Sequence, residues 1–498
     1  MSYEEFEKEV KVLGNLEEAV GVLGWDEEVM MPEKGLEARS KQKSVLTKLR
    51  HEKLVSERLG ELLESIDRRD LDKSQKANVR EIERERERMK SVSADLMEKM
   101  SQKESEAVNA WKKAKKEDNY ELFAEELREL VELKRRYANQ INPDEEPYKV
   151  LFKDYEPYIG YETMEKVLKN LKKGLVPIVE KISEAEDIEQ NAFKGDFEDE
   201  EEMELNHELA ELLGFDKKNG RLDCSEHPFT SGNTFDTRIT TRIEQGDLSG
   251  SLMPTIHELG HALYQLGLPE GDYATPRGGA RELSVHESQS RLWENQVGRS
   301  KEFWKFMLPK LEERFPEKFE EISIQDCYES INQVYEDNMI RVKADELTYH
   351  LHIVLRFEIG RALMNGEIEV EDLPEEWNKR MEKYLGLEPE TDSEGVMQDI
   401  HWAWGNFGYF PTYSLGSVLA TQIYREAEEE VEGLEKKIES GEFEDLRDWL
   451  KTHIHSKGRL LKTEELIEKV TNEPINSEPF LNYIRGKYGE IYNLELEN

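Results

Sequence analysis

The sequence predicts a mainly α-helical fold, a large multi-helix body carrying one small β-sheet. Three observations predict it. Apolar residues recur at three- and four-residue steps over most of the 498 residues, which is the period of one helix face. One stretch, residues 221–250, changes texture to Thr, Ile, Phe and Gly, and residues 237–243 have strand-like composition before Gly246-Asp247. No fixed-period repeat or Pro/Ser linker divides the chain, so one body is expected over 1–498, helical in 1–215, β in 216–250 and helical again in 251–498.

Taken in order, apolar spacing predicts a helix over residues 13–23, stopped by Gly24-Trp25-Asp26 and followed by Met30-Met31-Pro32. Long amphipathic helices follow over about 35–66 and 74–116, consistent with helical hairpins. Others cover 120–140, broken before Pro143, then 161–186 and 200–213. The acid run over residues 195–202 reads as a solvated turn and helix start. Helices return from Met253, interrupted by a Gly/Pro-rich loop at 268–279 and an aromatic, glycine-rich segment at 405–411.

Composition narrows the function. With 8 Trp, 19 Tyr and 17 Phe, and 37% hydrophobic residues, the chain has enough apolar material for a packed core. The 110 acidic against 69 basic residues give a net charge of -41, which repels phosphate backbones and anionic membranes. The same acidity fits a salt-rich cytoplasm that screens self-repulsion, and the Glu and Lys content also fits heat. Two cysteines, Cys224 and Cys327, build no disulfide framework, as in a reducing compartment. The start of the chain lacks the pattern of a signal peptide, and no apolar run approaches the roughly 18 residues of a membrane span. A soluble, cytoplasmic protein is expected.

The chemistry centres on His257-Glu258-Leu259-Gly260-His261. Residues four apart share a helix face, so both imidazoles reach one ion. Pro254 suits a first helical turn, and Ile256, Leu259, Leu263 and Leu266 supply the apolar anchor. Glu258 follows the first imidazole directly and is placed to act as general base on a water. Catalytic zinc takes three protein ligands and leaves a position for water. The candidates for the third are Glu282, His286, Glu287 and Glu294. Ser284-x-x-Glu287 also fits a capping box, in which Glu287 would merely cap amides, and spacing alone does not separate Glu287 from its neighbours.

His257-Glu258-x-x-His261 followed by His286-Glu287-Ser288-Gln289 resembles the thermostable carboxypeptidase Taq family of zinc metallocarboxypeptidases. Further family motifs stand in order: His227-Pro228-Phe229, Asp236-Thr237-Arg238-Ile239-Thr240, Ile340-Arg341-Val342-Lys343-Ala344-Asp345, and Gly395-Val396-Met397-Gln398-Asp399-Ile400-His401-Trp402. Trp25-Asp26 and Met31-Pro32 are similar as well, and the likeness spans essentially the whole chain. The resemblance implies a helical fold with a deep central groove, shared broadly with neurolysin, and the small sheet near the zinc. It implies homodimers, one zinc per chain with cobalt as a substitute, and release of single C-terminal residues from peptides with broad tolerance. It also favours Glu287 as third ligand.

An enzyme acting at C-termini must pair the substrate carboxylate, which arginine's planar fork does best. Arg341 is the first choice and Arg238, with Asp236, the second; the competing reading is a structural salt bridge to Asp345 or Asp236. His401, His227 and Tyr413 are candidate donors to the oxyanion. Asp399 is a candidate partner for a zinc-bound histidine, and Trp402, Trp404 and Phe407 read as groove wall and core. The closest rival is an oligopeptidase that cuts internally with the same zinc chemistry. A dead scaffold would have lost a ligand or Glu258, and neither is lost.

Overall fold

A glycine inside a helix costs about 1 kcal/mol, yet α1 (Tyr3–Val29) runs unbroken through Gly24, so the predicted stop there is corrected. Trp25 supplies the reason. It is buried, and the guanidinium groups of Arg221 and Arg238 lie 4.9 and 4.4 Å from its ring centroid, so tertiary contacts hold the last turn. These contacts belong to a computed structural model that describes residues 3–186, 188, 191–335 and 338–496.

Each of the two long predicted helices is two. The first divides into α2 (Leu36–Val55) and α3 (Glu57–Ser65), where the Ser56 side chain accepts from the Leu59 amide. The second divides into α4 (Lys73–Ser91) and α5 (Ala94–Glu117), where Ser93 caps in the same way. A serine that satisfies a free amide ends one helix and starts another. Next come α6 (Glu121–Ile141), α7 (Pro147–Tyr155), α8 (Tyr161–Ile182) and α9 (Asp199–Leu212). The sequence reading missed α7, which Pro147 opens at its first position.

The sheet has three strands, β1 (Gly220–Cys224), β2 (Thr230–Gly232) and β3 (Thr237–Thr241), in the order β1-β3-β2. Central β3 pairs parallel with β1 and antiparallel with β2, and it packs against α10 (Ser249–Gly267), which carries the His-Glu-x-x-His motif. The Asp247 carboxylate accepts from the Ser249 amide at 3.0 Å. This begins α10 a turn earlier than predicted and leaves Pro254 inside the helix rather than in its first turn.

Downstream lie α11 (Leu283–Arg291), continued by a π-helical turn Leu292–Gly298, then α12 (Lys301–Arg314), α13 (Pro316–Phe319), α14 (Ile324–Asn332), α15 (Tyr349–Asn365), α16 (Leu373–Leu385), α17 (Pro411–Glu430), α18 (Leu434–Glu439), α19 (Glu444–His453), α20 (Thr463–Thr471) and α21 (Glu478–Ile491). Among the described residues, two large apolar clusters form the core. One is built on α6, α8, α15 and α16, the other on α10, α12 and α17 to α20, and α17 contributes to both. The N-terminal hairpin has its own small cluster around Phe6, Leu13 and Leu59.

Two glycines let the site helices approach. A Cβ on Gly260 of α10 would lie 2.5 Å from Ser290 Cα and 2.6 Å from the Gln289 carbonyl of α11. A Cβ on Gly416 of α17 would lie 2.5 Å from Glu287 Cγ. Glycine to alanine in a helix interior ordinarily stabilises by roughly 0.5–1 kcal/mol. Here Gly416→Ala is expected instead to push Glu287 aside, weakening metal retention while circular dichroism still reports a helical protein. Unchanged metal content would refute that close contact.

Candidate metal centre and active site

His257 and His261 stand one turn apart on α10, with ring centroids 4.9 Å from each other. Their Nε2 atoms lie 3.9 and 3.6 Å from Glu287 Oε2 of α11. The donor atoms of these three side chains fall within 4.8 Å of one another. Tetrahedral donors on bonds of about 2.1 Å would stand about 3.4 Å apart, so the two histidine-to-glutamate distances need to shorten by only a few tenths of an ångström around a divalent ion. Two imidazoles and a carboxylate are also a common donor set of catalytic zinc.

The other ring and carboxylate atoms are already engaged, which aims the remaining ones. His257 Nδ1 is 2.8 Å from Glu294 Oε2, and His261 Nδ1 is 3.0 Å from the His286 carbonyl. Glu287 Oε1 accepts from Arg291 Nε at 2.7 Å. Arg291 also donates to Glu294 Oε2 at 3.3 Å, so one guanidinium spans both carboxylates. Burial opposes charge on His257, but Glu294 and Glu287 outweigh it and raise its pKa. Burial, then His286 and His257, hold His261 well below its ordinary value. Burial also opposes charge on Glu294, yet Arg291, His257 and Arg299 keep it far below the usual carboxylate range.

Glu258 is 7% exposed, and burial raises its pKa. The Thr230 hydroxyl of β2 sits 2.5 Å from its Oε2, so the small sheet positions the carboxyl group. The capping-box reading of Ser284 and Glu287 does not hold. Ser284 donates its amide and hydroxyl to the buried Glu156 at 2.7 and 2.8 Å, which leaves Glu287 to the two histidines and Arg291.

Arg341 forms no ion pair with Asp345, whose carboxylate instead accepts from Thr348 and Asn338. Arg341 Nη2 is 2.6 Å from Asp399 Oδ1, and Arg356 Nε is 2.6 Å from Asp399 Oδ2. Asp399 therefore orients neither imidazole of the motif. Its role as a histidine partner is corrected, because Glu294 and the His286 carbonyl take those positions. Two buried guanidinium groups share one carboxylate, leaving a surplus positive charge. The Tyr413 ring centroid is 5.2 Å from Arg341 Cζ, and the Tyr413 hydroxyl is 3.4 Å from His401 Nε2. Tyr413 lies one turn before Gly416, on the α17 face that meets Glu287. Burial, with Arg341 and Arg356, lowers His401 to about 4, so the ring is neutral at physiological pH.

Arg238 pairs with Asp236 at 2.8 Å beside Trp25, the structural alternative weighed for it. His227 is exposed in the turn between β1 and β2. Trp402 and Phe407 are buried and Trp404 is half exposed. The sequence reading assigned no role to Thr230, Arg291, Tyr349 or Tyr409. For Arg291 a signal existed: Glu287, Arg291 and Glu294 are spaced to share one helix face. Tyr349 accepts from Arg341 Nη1 at 3.2 Å across a chain distance no local pattern reports.

Known proteins match this arrangement along its length. Residues 5–488 fit the family model described as carboxypeptidase Taq (M32) metallopeptidase. Thermostable carboxypeptidase 1 of Thermus thermophilus is 37% identical over 98% of both chains. Carboxypeptidase 1 of Bacillus subtilis is 34% identical over 99% of this chain and 100% of its own. The crystal structure of an M32 carboxypeptidase from Deinococcus radiodurans superposes with a TM-score of 0.95 at 32% identity, covering 99% of each chain. With its helical body, its convergent His-His-Glu cluster and these full-length likenesses, the chain belongs to the carboxypeptidase Taq (M32) family and is a metallocarboxypeptidase.

Proposed function

We propose that one zinc ion per chain is held by His257 Nε2, His261 Nε2 and Glu287 Oε2, with cobalt as a functional substitute. The observation that carries this is the convergence of those three atoms beside Glu258. When bound, the divalent ion supplies Lewis acidity to the scissile carbonyl and to the attacking water. Glu258 takes the proton of that water and passes it to the leaving amine. His401 and Tyr413 face the reacting carbonyl and donate to its oxygen as negative charge develops. Glu294 keeps His257 in the tautomer and orientation that present Nε2. His227, exposed as it is, remains the weaker candidate among the donors.

The substrate's terminal carboxylate pairs with Arg341, supported by the surplus charge of Arg341 and Arg356 over Asp399. Asp399 holds the guanidinium fork in place. Arg238, paired with Asp236 beside Trp25, remains the second choice for the substrate carboxylate. The family match over residues 5–488 supports one catalytic unit across 1–498. Peptides are the substrates, and the homodimer rests on family resemblance. A cytoplasmic location is supported by two unpaired cysteines, one of them exposed, and by the lack of a membrane-spanning helix among the described residues.

Timed mass spectrometry of a peptide ladder tests this reading. Stepwise loss of single C-terminal residues is expected, and loss of the ladder when the peptide is amidated. Internal cleavage of free and amidated peptides alike would overturn it. Removing a buried charge partner costs about 2–5 kcal/mol, so Arg341→Met should lower kcat/KM by roughly 30- to 5000-fold and erase most discrimination against amides. For Glu294→Gln the expected result is a 10- to 100-fold loss of metal affinity, read by chelator competition.

A further inference from the structure

Arg341 opens a single 3₁₀ turn, Arg341–Lys343, and Ile340 before it is extended, with φ -103° and ψ 118°. Around an extended residue, the carbonyl before it and the amide after it point to the same side. A neighbouring strand would bind both. Here the side chain of Gln398 does so. Its Nε2 donates to the Met339 carbonyl at 3.3 Å, and its Oε1 accepts from the Arg341 amide at 2.9 Å. One carboxamide takes the place of a strand's peptide group.

Two further contacts fix the direction of that carboxamide. Oε1 also accepts from Arg356 Nη2 at 2.6 Å, and Nε2 also donates to the Glu394 carbonyl at 2.7 Å. Two donors face the oxygen and two carbonyl oxygens face the nitrogen, so a flipped amide would lose all four bonds. The main chain beneath Gln398 is anchored from α5. Trp111 Nε1 donates to the Met397 carbonyl at 3.0 Å, and Lys115 Nζ to the Gln398 carbonyl at 2.9 Å.

Arg356 is the fixed point behind these contacts. It is fully buried in α15, with Cζ 4.6 Å from the Trp377 ring centroid and Nη1 on the His352 carbonyl at 2.8 Å. Its Nε holds Asp399, and Asp399 holds the Arg341 guanidinium. Arg341 is therefore gripped at both ends, at its amide by Gln398 and at its fork by Asp399, and both grips lead to Arg356. The Arg341 side chain keeps 7% exposure and that of Arg356 keeps none, so of the two only Arg341 can meet a substrate.

We propose that Gln398 is a positioning residue for recognition of the C-terminal carboxylate, setting the main-chain position of Arg341 while Asp399 sets the direction of its fork. This role rests on the reading of Arg341 as the carboxylate's partner. Without the carboxamide, Arg341 is tethered at the fork alone. A displacement of roughly 1 Å in a substrate-aligning group can cost about 100-fold in rate.

The test is the ratio of kcat/KM for a free-acid peptide to kcat/KM for its amide, measured on the full-length, metal-loaded protein. Gln398→Met removes all four hydrogen bonds at similar volume and should lower this ratio at least about 10-fold. Merely structural damage lowers both rates together, and an intact ratio would overturn the proposal. Added to Arg341→Met, the change Gln398→Met should leave the ratio where Arg341→Met alone puts it. A further fall of the same size would mean that Gln398 acts by another route, and would also overturn it. Should Gln398→Met fail to fold, Gln398→Glu keeps the oxygen that faces Arg356 and sets a second oxygen against the Met339 and Glu394 carbonyls. The same fall is expected there, and an intact ratio is again fatal. If Arg341→Met itself leaves the ratio intact, the reading of Arg341 fails and this role with it. If Arg341→Met collapses the ratio and the Gln398 variants do not, the role of Gln398 alone fails.

Discussion

Glu258→Gln is expected to lower kcat by about 10³- to 10⁴-fold while metal content stays at the wild-type level. The amide keeps the size of the carboxyl group and can still meet the Thr230 hydroxyl, so the packing between β2 and α10 survives. What disappears is a group able to take a proton from water and return it to the leaving amine. Glu258 is not among the three converging donor atoms, so metal affinity and proton transfer separate in this variant. Metal analysis beside steady-state kinetics reads both. A fall in kcat that tracks loss of metal would place Glu258 among the ligands; unimpaired turnover would remove it from the chemistry.

The second large effect is expected at Glu287. Glu287→Ala deletes one of three donors and leaves Arg291, buried beside it, with Glu294 alone. Loss of a buried charge partner costs about 3–5 kcal/mol, so metal should bind on the order of 10²- to 10⁴-fold more weakly. Activity should vanish at substoichiometric occupancy and return only in part with excess ion. Arg291→Met should be milder, because it frees Glu287 Oε1 without touching Oε2. Equal damage from both variants would make Glu287 a structural partner of Arg291 rather than a ligand.

The contrast between these residues and the corrected ones shows where sequence is informative. His257, His261 and Glu258 were legible because helical geometry converts a fixed spacing into a fixed arrangement. Gly260 was visible as a residue of the motif, but its reason, the backbone of Gln289 and Ser290 pressed against it, is tertiary. Asp399 was misassigned because its partners Arg341 and Arg356 are 58 and 43 residues away, beyond any local pattern. Glu294 was weighed as a ligand and stands instead 2.8 Å from His257 Nδ1, outside the three converging donors, a difference that only packing decides. Helix existence was read well and helix ends were not. Ser56 and Ser93 break long amphipathic runs by satisfying single amides, whereas Gly24 fails to break α1 because Trp25 is held from outside.

X-ray absorption at the metal edge of the zinc-loaded enzyme tests the central claim most directly. The account predicts two imidazole nitrogens near 2.0–2.1 Å, carboxylate oxygen near 2.0–2.2 Å and one exchangeable solvent ligand, with the carboxylate contribution lost in Glu287→Ala. A shell of four protein ligands with no solvent, or one unchanged by Glu287→Ala, would contradict it.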